Sequence, residues 1–425
     1  MTLREDGYRQ RLIDPVIDRD LGVFGAVSVE GPKWCGKTWT CLNHAQSVYY
    51  VMDPEGDFSH RRLALLDPQT ALEGDHPRLI DEWQEAPLLW DAVRFQIDRG
   101  RQRGLYLLTG STKPREHATA HSGTGRIVRR RMRPMSLVES GDSTGAASLR
   151  NLLDGGKLTP ALSRMTLDDV LRVICRGGWP GSLDLDLPEA IVLARSYIDH
   201  LAESDISEVD DVSRNHYKVR AFLGSLARHT SVPVQIPTLR RDMSALETTA
   251  TDATIRAYMD ALRKLYVLEE IPAWGSHLRS REPLKATPKR LLADPSLAVA
   301  SLGATPDRLK ADLNTLGFLF ESLCLRDLLV IGDAIDASVH HYRDGNGLEA
   351  DAILNLPDNR WAGVEIKLGF NEVETAAASL TRLSKKVEGD GRPAPSALIV
   401  ITGVGGLMET RSDGIHVVPI DQLGP

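Results

Sequence analysis

Short apolar runs alternate with longer amphipathic stretches over the first part of the chain. The runs cover residues 24–30, 47–53, 78–81 and 105–109, and each has the length of a buried strand. The stretches between them predict helices. Strands that alternate with helices are typical of an α/β fold in which a parallel sheet carries helices on both faces. A ligand of such a fold is expected at the carboxyl ends of the strands.

A glycine-rich turn follows the first of these runs. Residues 31–38 read Gly-Pro-Lys-Trp-Cys-Gly-Lys-Thr, which fits the phosphate-loop pattern G-x-x-x-x-G-K-[ST]. Because the loop stands between a predicted strand and a helix start, its N–H groups and the helix amino terminus would surround a nucleotide phosphate. We expect Lys37 to reach the β- and γ-phosphates and the Thr38 hydroxyl to bind Mg²⁺.

Polar side chains end two further runs. Asp81, at the end of the run 78–81, is expected to hold Mg²⁺, and Glu82 is expected to polarise the attacking water. The run 105–109 ends in hydroxyl side chains, and Ser111 is placed to hydrogen-bond the γ-phosphate or the water. An ordinary strand and turn is the alternative interpretation of this last segment.

Residues 125–134 are densely basic and have three interpretations. They form a solvated charged strand, they contact nucleic acid, or their arginines serve a nucleotide. Residues 141–147 have the composition of a linker. The nucleotide-binding part is therefore expected to end near residue 140.

Helical spacing dominates the middle of the chain. Residues 167–200 predict helices interrupted by a rigid turn at 176–181. Helices at 217–229, 237–246 and 252–264, followed by a strand at 266–271, have the order of a winged helix, which can read a DNA groove. The arginines available for this are Arg240, Arg241, Arg256 and Arg263. A winged helix used only for packing is the alternative.

The last part of the chain holds a second set of chemical residues. Glu321 lies in the apolar helix predicted at 316–329, and a carboxylate there requires a partner. Asp351 lies in a predicted strand, and Glu365 and Lys367 alternate on one face of the next strand. Such carboxylates with a lysine can hold Mg²⁺ and activate water for phosphodiester cleavage, so Asp351, Glu365 and Glu321 are the predicted metal ligands. A buried ion cluster of structural purpose is the alternative.

Together these motifs resemble the bacterial and archaeal AAA-type ATPases that carry a C-terminal domain of unknown function with a restriction-endonuclease-like core. The resemblance covers nearly the whole chain. The matching segments lie at 31–38, 79–84, 108–112, 125–127, 177–180, 294–297, 320–323, 349–351 and 364–367. The chain departs from the family pattern at Trp34-Cys35 and at Trp39, and neither departure removes a phosphate contact.

The resemblance implies a fold class and a division into domains. A P-loop NTPase domain of the AAA (ASCE) type is expected at 1–140 and a helical lid or linker at 141–215. A winged helix is expected at 216–288 and a PD-(D/E)xK nuclease-like α/β domain at 289–425.

The resemblance also implies ATP, with Mg²⁺, as the nucleotide. It places Arg126 in a subunit interface, so a homo-oligomer is expected. The predicted catalytic residues are Glu82, Arg126 and Lys367. The predicted ATP-binding residues are Gly31, Pro32, Lys33, Trp34, Cys35, Gly36, Lys37, Thr38, Trp39 and Ser111, and the metal ligands next to them are Thr38 and Asp81.

Composition adds limits to this picture. The formal net charge of −7 gives no global attraction to nucleic acid or membrane, so any DNA contact must be local. The cysteines form no C-x-x-C pair, and Cys35 lies inside the phosphate loop, which suits a reducing compartment. Neither a membrane-spanning apolar run nor a signal peptide is expected, and a cytoplasmic location is predicted.

Two classes of function stay open. The first is a DNA-directed, ATP-hydrolysing enzyme with a metal-dependent nuclease domain. The second is a nucleotide-gated binding or regulatory protein, toxin-like or defence-like, whose nuclease fold is inactive.

Overall fold

Each apolar run in the first part of the chain contains a strand. These strands are β1 (Ala26–Glu30), β2 (Ser47–Tyr50), β3 (Arg78–Asp81) and β4 (Tyr106–Gly110), and β5 (Ile127–Arg131) comes from the basic segment. They pair in parallel in the order β2-β3-β4-β1-β5. β1 and β4 are buried along their whole length, as their continuous apolar character requires. The predicted α/β fold with a parallel sheet is therefore confirmed.

Helices connect and cover these strands. They are α1 (Asp14–Leu21), α2 (Lys37–Leu42), α3 (Glu55–Leu66), α4 (Pro68–Ala71) and α5 (Leu88–Gly100). α5 presents Leu89, Trp90 and Val93 to the sheet, where they pack with Ile80 and Leu108. Burial of this apolar face, rather than helix propensity, holds α5 in place.

The computed structural model describes residues 2–114, 119–245, 250–275 and 286–425. The described part forms two compact units. The first contains Met1–Pro134, Asp205–Ser213 and Asp260–Val267, and the second contains Met135–Ser204, Arg214–Met259 and Leu268–Pro425. The predicted boundaries after residues 140, 215 and 288 stay predictions.

The middle of the chain is mainly helical. Its helices are α6 (Leu137–Ser140), α7 (Leu149–Leu153), α8 (Leu167–Arg176), α9 (Leu187–His200), α10 (Ile206–Glu208), α11 (His216–Arg228), α12 (Ile236–Ala245) and α13 (Asp252–Lys264), and its short strands are β6 (Ala147–Ser148) and β7 (Ala161–Leu162). β8 (Leu268–Ile271) pairs antiparallel with β9 (Lys289–Leu292), and Val232 bridges to Arg290. Residues 246–249 and 276–285 of the predicted winged helix lie outside the described residues.

The carboxyl-terminal part combines helices with a mixed sheet. The helices are α14 (Pro295–Ser301), α15 (Pro306–Ala311), α16 (Leu313–Ala334) and α17 (Val373–Gly389), and the strands are β10 (Ser338–Arg343), β11 (Glu349–Asn355), β12 (Trp361–Gly369), β13 (Ala397–Val404), β14 (Leu407–Thr410), β15 (His416–Pro419) and β16 (Leu423–Gly424). The sheet order is β10-β11-β12-β13-β15-β14-β7. β10, β11 and β12 are antiparallel neighbours, whereas β13 runs parallel to β12 after the crossover helix α17. This topology places α16, β11 and β12 around one end of the sheet.

Candidate functional site

The phosphate loop is fixed by backbone geometry that glycine permits. Gly36, just before α2, has φ +99°, which favours glycine. A Cβ at Gly31 would lie 2.2 Å from the carbonyl oxygen of Met132, so no larger residue fits there. The Lys37 ammonium folds back into the loop, where it donates to the carbonyl oxygen of Pro32 at 2.9 Å. The loop is therefore formed around its own lysine.

Residues distant in sequence support this loop. The buried guanidinium of Arg11 donates to the carbonyl oxygens of Cys35 and Arg133, at 2.8 Å each. Lys33 pairs with Asp205 at 2.8 Å. Arg11 was missed by sequence reasoning, because no motif links it to the loop. The predicted loop residues differ in exposure: Cys35 is buried, while Trp34 and Trp39 are exposed.

The carboxylate of Asp81, at the end of β3, joins the start of α2 and the end of β4. Its Oδ1 accepts from the hydroxyl of Thr38 at 2.8 Å and from that of Thr109 at 2.7 Å. Burial raises the pKa of Asp81, and these hydroxyls oppose the rise. Hydroxyl and carboxylate oxygens are the donors that Mg²⁺ prefers, so Thr38 and Asp81 fit the predicted role.

Glu82 is turned back toward β4. It has φ +56°, and its N–H donates to the Thr109 hydroxyl at 3.0 Å. Its carboxylate accepts from the Ser111 hydroxyl at 2.8 Å and from the side-chain amide of Gln84. Ser111 thus holds Glu82 in this structure. Gln84 is the last residue of the segment 79–84 that matches the family pattern, but no role was predicted for it.

Arg126 lies where the strands begin, whereas the phosphate loop lies where they end. It precedes Ile127, which pairs with Ala26 at the start of β1, whereas the loop follows Glu30 at the end of β1. The five residues of β1 separate the two edges by about 16 Å. The guanidinium of Arg126 pairs with Asp98 at 2.8 Å. Arg126 therefore cannot serve the loop of its own chain, and its predicted role in a neighbouring subunit stays a prediction.

The other arginines of the basic segment also have partners. Arg129 pairs with Glu30 at 2.6 Å, and Arg130 pairs with Asp20. Arg131 donates to the carbonyl oxygen of Tyr266 at 2.8 Å. These contacts agree best with the first of the three interpretations, a charged strand.

The structure brings together the charged residues predicted in the carboxyl-terminal part. α16 contributes Glu321, β11 contributes Asp351, and β12 contributes Glu365 and Lys367. The Lys367 ammonium lies 2.8 Å from Glu365 Oε2 and 3.6 Å from Asp351 Oδ2. The N–H of Ile366 donates to the same Oδ2 at 2.8 Å.

Sequence reasoning missed Lys289, which enters this cluster from β9. Its Nζ lies 2.6 Å from Glu321 Oε1 and 3.5 Å from Asp351 Oδ1, and it donates to the carbonyl oxygen of Asp351 at 3.2 Å. No local pattern marks Lys289, because only the path of β9 brings it to these carboxylates. We call Lys289, Glu321, Asp351, Glu365 and Lys367 the ion cluster.

The ion cluster is largely buried, and its pKa values are shifted accordingly. Burial raises the pKa of Glu321 and of Glu365 to about 7 each, and the charge of Asp351 adds to both shifts. Burial alone would lower the pKa of Lys289 and of Lys367, but the neighbouring carboxylates outweigh it and raise both. A cavity of about 580 Å³ opens over Glu321 and Lys367.

The described residues contain no group of three or more His, Cys, Asp or Glu side chains placed to hold a metal ion. Asp351, Glu365 and Glu321 are close to one another but are arranged in ion pairs with lysines. Their assignment as metal ligands stays a prediction.

The arginines proposed for DNA are distributed over α12 and α13. Arg240, Arg241 and Arg256 are exposed, and Arg240 pairs with Asp252 at 2.8 Å. Arg263 pairs with Asp260 one helical turn away. Two of the four arginines therefore have an acidic partner nearby.

Three parts of the chain match known domain families. Residues 24–140 match the AAA domain family. The amino-terminal part is an AAA domain of the P-loop type. After this AAA domain in the sequence, residues 167–308 match a domain of unknown function, DUF8612, and residues 316–423 match another, DUF4143. The predicted AAA-type domain with a C-terminal domain of unknown function is confirmed, whereas the restriction-endonuclease-like core stays a prediction.

Curated relatives extend along most of the chain. The uncharacterized proteins Mb2031c of Mycobacterium bovis and Rv2008c of Mycobacterium tuberculosis are each 26% identical over 406 residues, which is 93% of this chain and 80% of the relative. Among solved structures, a Walker-type ATPase of Pyrococcus abyssi covers 71% of this chain and 97% of its own at 13% identity and a TM-score of 0.44. A RuvB mutant of Thermotoga maritima covers 61% and 88%, at 17% identity and a TM-score of 0.27. These TM-scores do not establish a common overall fold.

Across the described ranges, no helix combines the length and the apolar character that crossing a bilayer requires.

Proposed function

We propose that the AAA domain binds and hydrolyses ATP with Mg²⁺. The observation that carries this proposal is the set of hydrogen bonds that connects Thr38 at the start of α2 to Asp81 and, through Thr109, to Glu82. A phosphate loop, a carboxylate for Mg²⁺ and a second carboxylate for water are the parts that phosphoryl transfer needs.

Each side chain has a distinct task in this proposal. The N–H groups of residues 31–38 bind phosphate oxygens, and Lys37 leaves the carbonyl of Pro32 to meet the β- and γ-phosphates. Thr38 and Asp81 hold Mg²⁺, which neutralises charge on the phosphates when bound. Glu82, oriented by Ser111 and Gln84, aligns a water molecule and accepts its proton.

We propose further that ATP hydrolysis is directed by DNA through a winged helix. The order α11, α12, α13 and the antiparallel pair β8–β9 supports this assignment, as do the exposed Arg240, Arg241 and Arg256. The chain as a whole is acidic, so the contact involves few phosphates.

Double-stranded DNA is expected to bind at low salt and to change the rate of ATP hydrolysis. Affinity should fall as salt rises, with a slope of about one per phosphate contact. The measurement is fluorescence anisotropy with labelled DNA together with an ATPase assay, using wild type and Arg241→Ala/Arg256→Ala. Exposed Arg308 provides the control Arg308→Ala. Salt-independent binding, or the same loss in both variants, would contradict the proposed contact.

We propose that Arg126 acts in trans in a homo-oligomer. Its distance from the phosphate loop of its own chain supports a neighbour's site instead, and an arginine supplied to a γ-phosphate is worth roughly 10³ to 10⁵ in rate.

Mixing Arg126→Ala protein with Lys37→Ala protein is expected to restore part of the hydrolysis that each lacks. One defect then lies on each side of the interface, so some mixed interfaces combine an intact loop with an intact arginine. Hydrolysis rates are measured for each parent and for the mixture. A mixture as inactive as its parents would remove Arg126 from the shared site.

For the carboxyl-terminal domain, we propose a PD-(D/E)xK nuclease-like fold. The order α16, β10, β11, β12, α17, β13 and the carboxylates on α16, β11 and β12 support it. The pairing of these carboxylates with two lysines favours the second class of function, in which this domain does not cut and the protein acts as a nucleotide-gated binding or regulatory protein.

A further inference from the structure

The ion cluster contains more cationic charge than a metal-holding site requires. Its carboxylates are those of Glu321, Asp351 and Glu365, and its ammonium groups are those of Lys289 and Lys367. Lys367 comes from the same strand as Glu365, as the nuclease-like pattern predicts. Lys289 comes from β9, which pairs with β8 and lies outside the large sheet. Lys289 is therefore an addition from another part of the fold.

Each carboxylate predicted to bind a metal already has at least one oxygen in contact with an ammonium group. Glu321 Oε1 contacts Lys289 at 2.6 Å, and Glu365 Oε2 contacts Lys367 at 2.8 Å. Asp351 Oδ1 contacts the ammonium group of Lys289. Asp351 Oδ2 contacts that of Lys367 and accepts a hydrogen bond from the N–H of Ile366. In this arrangement the residues do not fit a divalent ion, since all three predicted ligands, on α16, β11 and β12, face an ammonium group.

We propose that Lys289 takes the place of the divalent cation in this nuclease-like domain. Its ammonium group holds Glu321 and Asp351 together as a metal would, and it fixes β9 to α16 and β11. This inference rests on the proposed assignment of the domain as nuclease-like. It implies that the wild-type ion cluster is stable without metal and takes up a divalent ion only when Lys289 is removed.

The direction of the effect follows from electrostatics. Removing one partner of a buried ion pair leaves an uncompensated charge, which is strongly destabilising. A divalent cation can then bind the freed oxygens from the cavity over Glu321 and Lys367. Because a ligand that binds the native state stabilises it, the loss of stability in a Lys289 variant should be reversed by metal.

The test compares wild type with Lys289→Met, using Mn²⁺ as the probe. Thermal unfolding is followed with and without Mn²⁺, and Mn²⁺ binding is measured by calorimetry on the full chain without nucleotide. We expect Lys289→Met to unfold at lower temperature than wild type, to recover with Mn²⁺, and to bind Mn²⁺ at least tenfold more tightly. Adding Asp351→Asn to Lys289→Met should abolish the gain, which assigns the new site to the ion cluster.

Arg290→Met is the matched control. Arg290 is the next residue of β9, is equally buried, and pairs with Glu270 at 2.8 Å away from the ion cluster. Its loss should destabilise the fold without any recovery by Mn²⁺. If Lys289→Met does not fold, Lys289→Gln applies the same test with a polar replacement.

The proposal is overturned if wild type binds Mn²⁺ as tightly as Lys289→Met, or if the folded variant gains no site. Cleavage of DNA by wild type with Mn²⁺ would also overturn it, and would instead support an active nuclease. ATP hydrolysis is assayed separately in wild type, so a failure of the ATP proposal is distinguishable from a failure of this one.

Discussion

Glu82→Gln is expected to bind ATP with the affinity of wild type and to hydrolyse it roughly 10²-fold or more slowly. The substitution keeps an acceptor oxygen for Ser111 and Gln84, so the turn after β3 is preserved. It removes the negative charge that accepts a proton from water. Turnover is measured under saturating ATP and binding by titration with a fluorescent analogue.

Lys37→Ala should show the reverse pattern, with binding lost first. A charge-assisted hydrogen bond contributes about 1.5–3 kcal/mol, so affinity should fall roughly 10- to 150-fold. Glu85→Gln is the matched control, because Glu85 follows Glu82 in the same turn but faces Arg61 at 3.8 Å. Equal turnover in wild type and Glu82→Gln, or an equal loss in Glu85→Gln, would reject the catalytic assignment of Glu82.

Arg326→Met is expected to lower the free energy of unfolding by about 3–5 kcal/mol. Arg326 is 1% exposed and lies between Asp294 at 2.8 Å and Asp327 at 2.7 Å, both of which are also buried. These carboxylates accept from the backbone N–H groups of Gly178 and Leu137. The ion triad, formed by Arg326 and the two carboxylates, therefore joins several segments of the second compact unit. Without Arg326, two carboxylates remain buried without their cation.

The loss should depend on pH. Burial already raises the pKa of Asp327, and the missing guanidinium would raise it further. A carboxyl group whose pKa is higher in the folded than in the unfolded state contributes stability at low pH, and this contribution is lost as pH rises. The variant should therefore be least stable at neutral pH and should regain part of its stability under mildly acidic conditions.

Urea unfolding at neutral and at mildly acidic pH provides the measurement. Hydrogen exchange of α16 locates the transition. Arg360→Met is the control, because Arg360 forms ion pairs with Asp154 and Asp358 at the surface and its loss should lower the free energy of unfolding far less than the loss of Arg326. A loss of that small size in Arg326→Met would show that the triad does not hold this unit together.

The local sequence pattern was sufficient to predict most individual helices and strands. The runs before Gly31, Glu82 and Ser111 became strands because continuous apolar segments of strand length can bury both faces in a parallel sheet. The helix predicted at 252–264 has those bounds in the structure, since its apolar residues recur at helical spacing. Helix 316–329 was predicted too short, because apolar character alone does not mark where α16 begins and ends.

The order of the strands could not be predicted in this way. Insertion of β4 between β1 and β3 is a long-range pairing, and it alone places Thr109 beside Asp81 and Ser111 beside Glu82. The roles of Thr109 and Gln84 therefore became visible only in the structure. Arg126 shows the opposite case, since its proximity in sequence to the nucleotide motifs concealed its position at the far edge of the sheet.

The sequence by itself determined which chemical groups each segment carries: a phosphate loop and an acidic pair at strand ends in the first part, and carboxylates with a lysine in the carboxyl-terminal part. These are properties of short segments, whose periodicity and turn residues act locally. Only the tertiary structure decided which groups meet. It gave Arg11 to the phosphate loop and Lys289 to the ion cluster, because both contacts depend on how distant segments pack, and burial then made a charged partner necessary for each carboxylate.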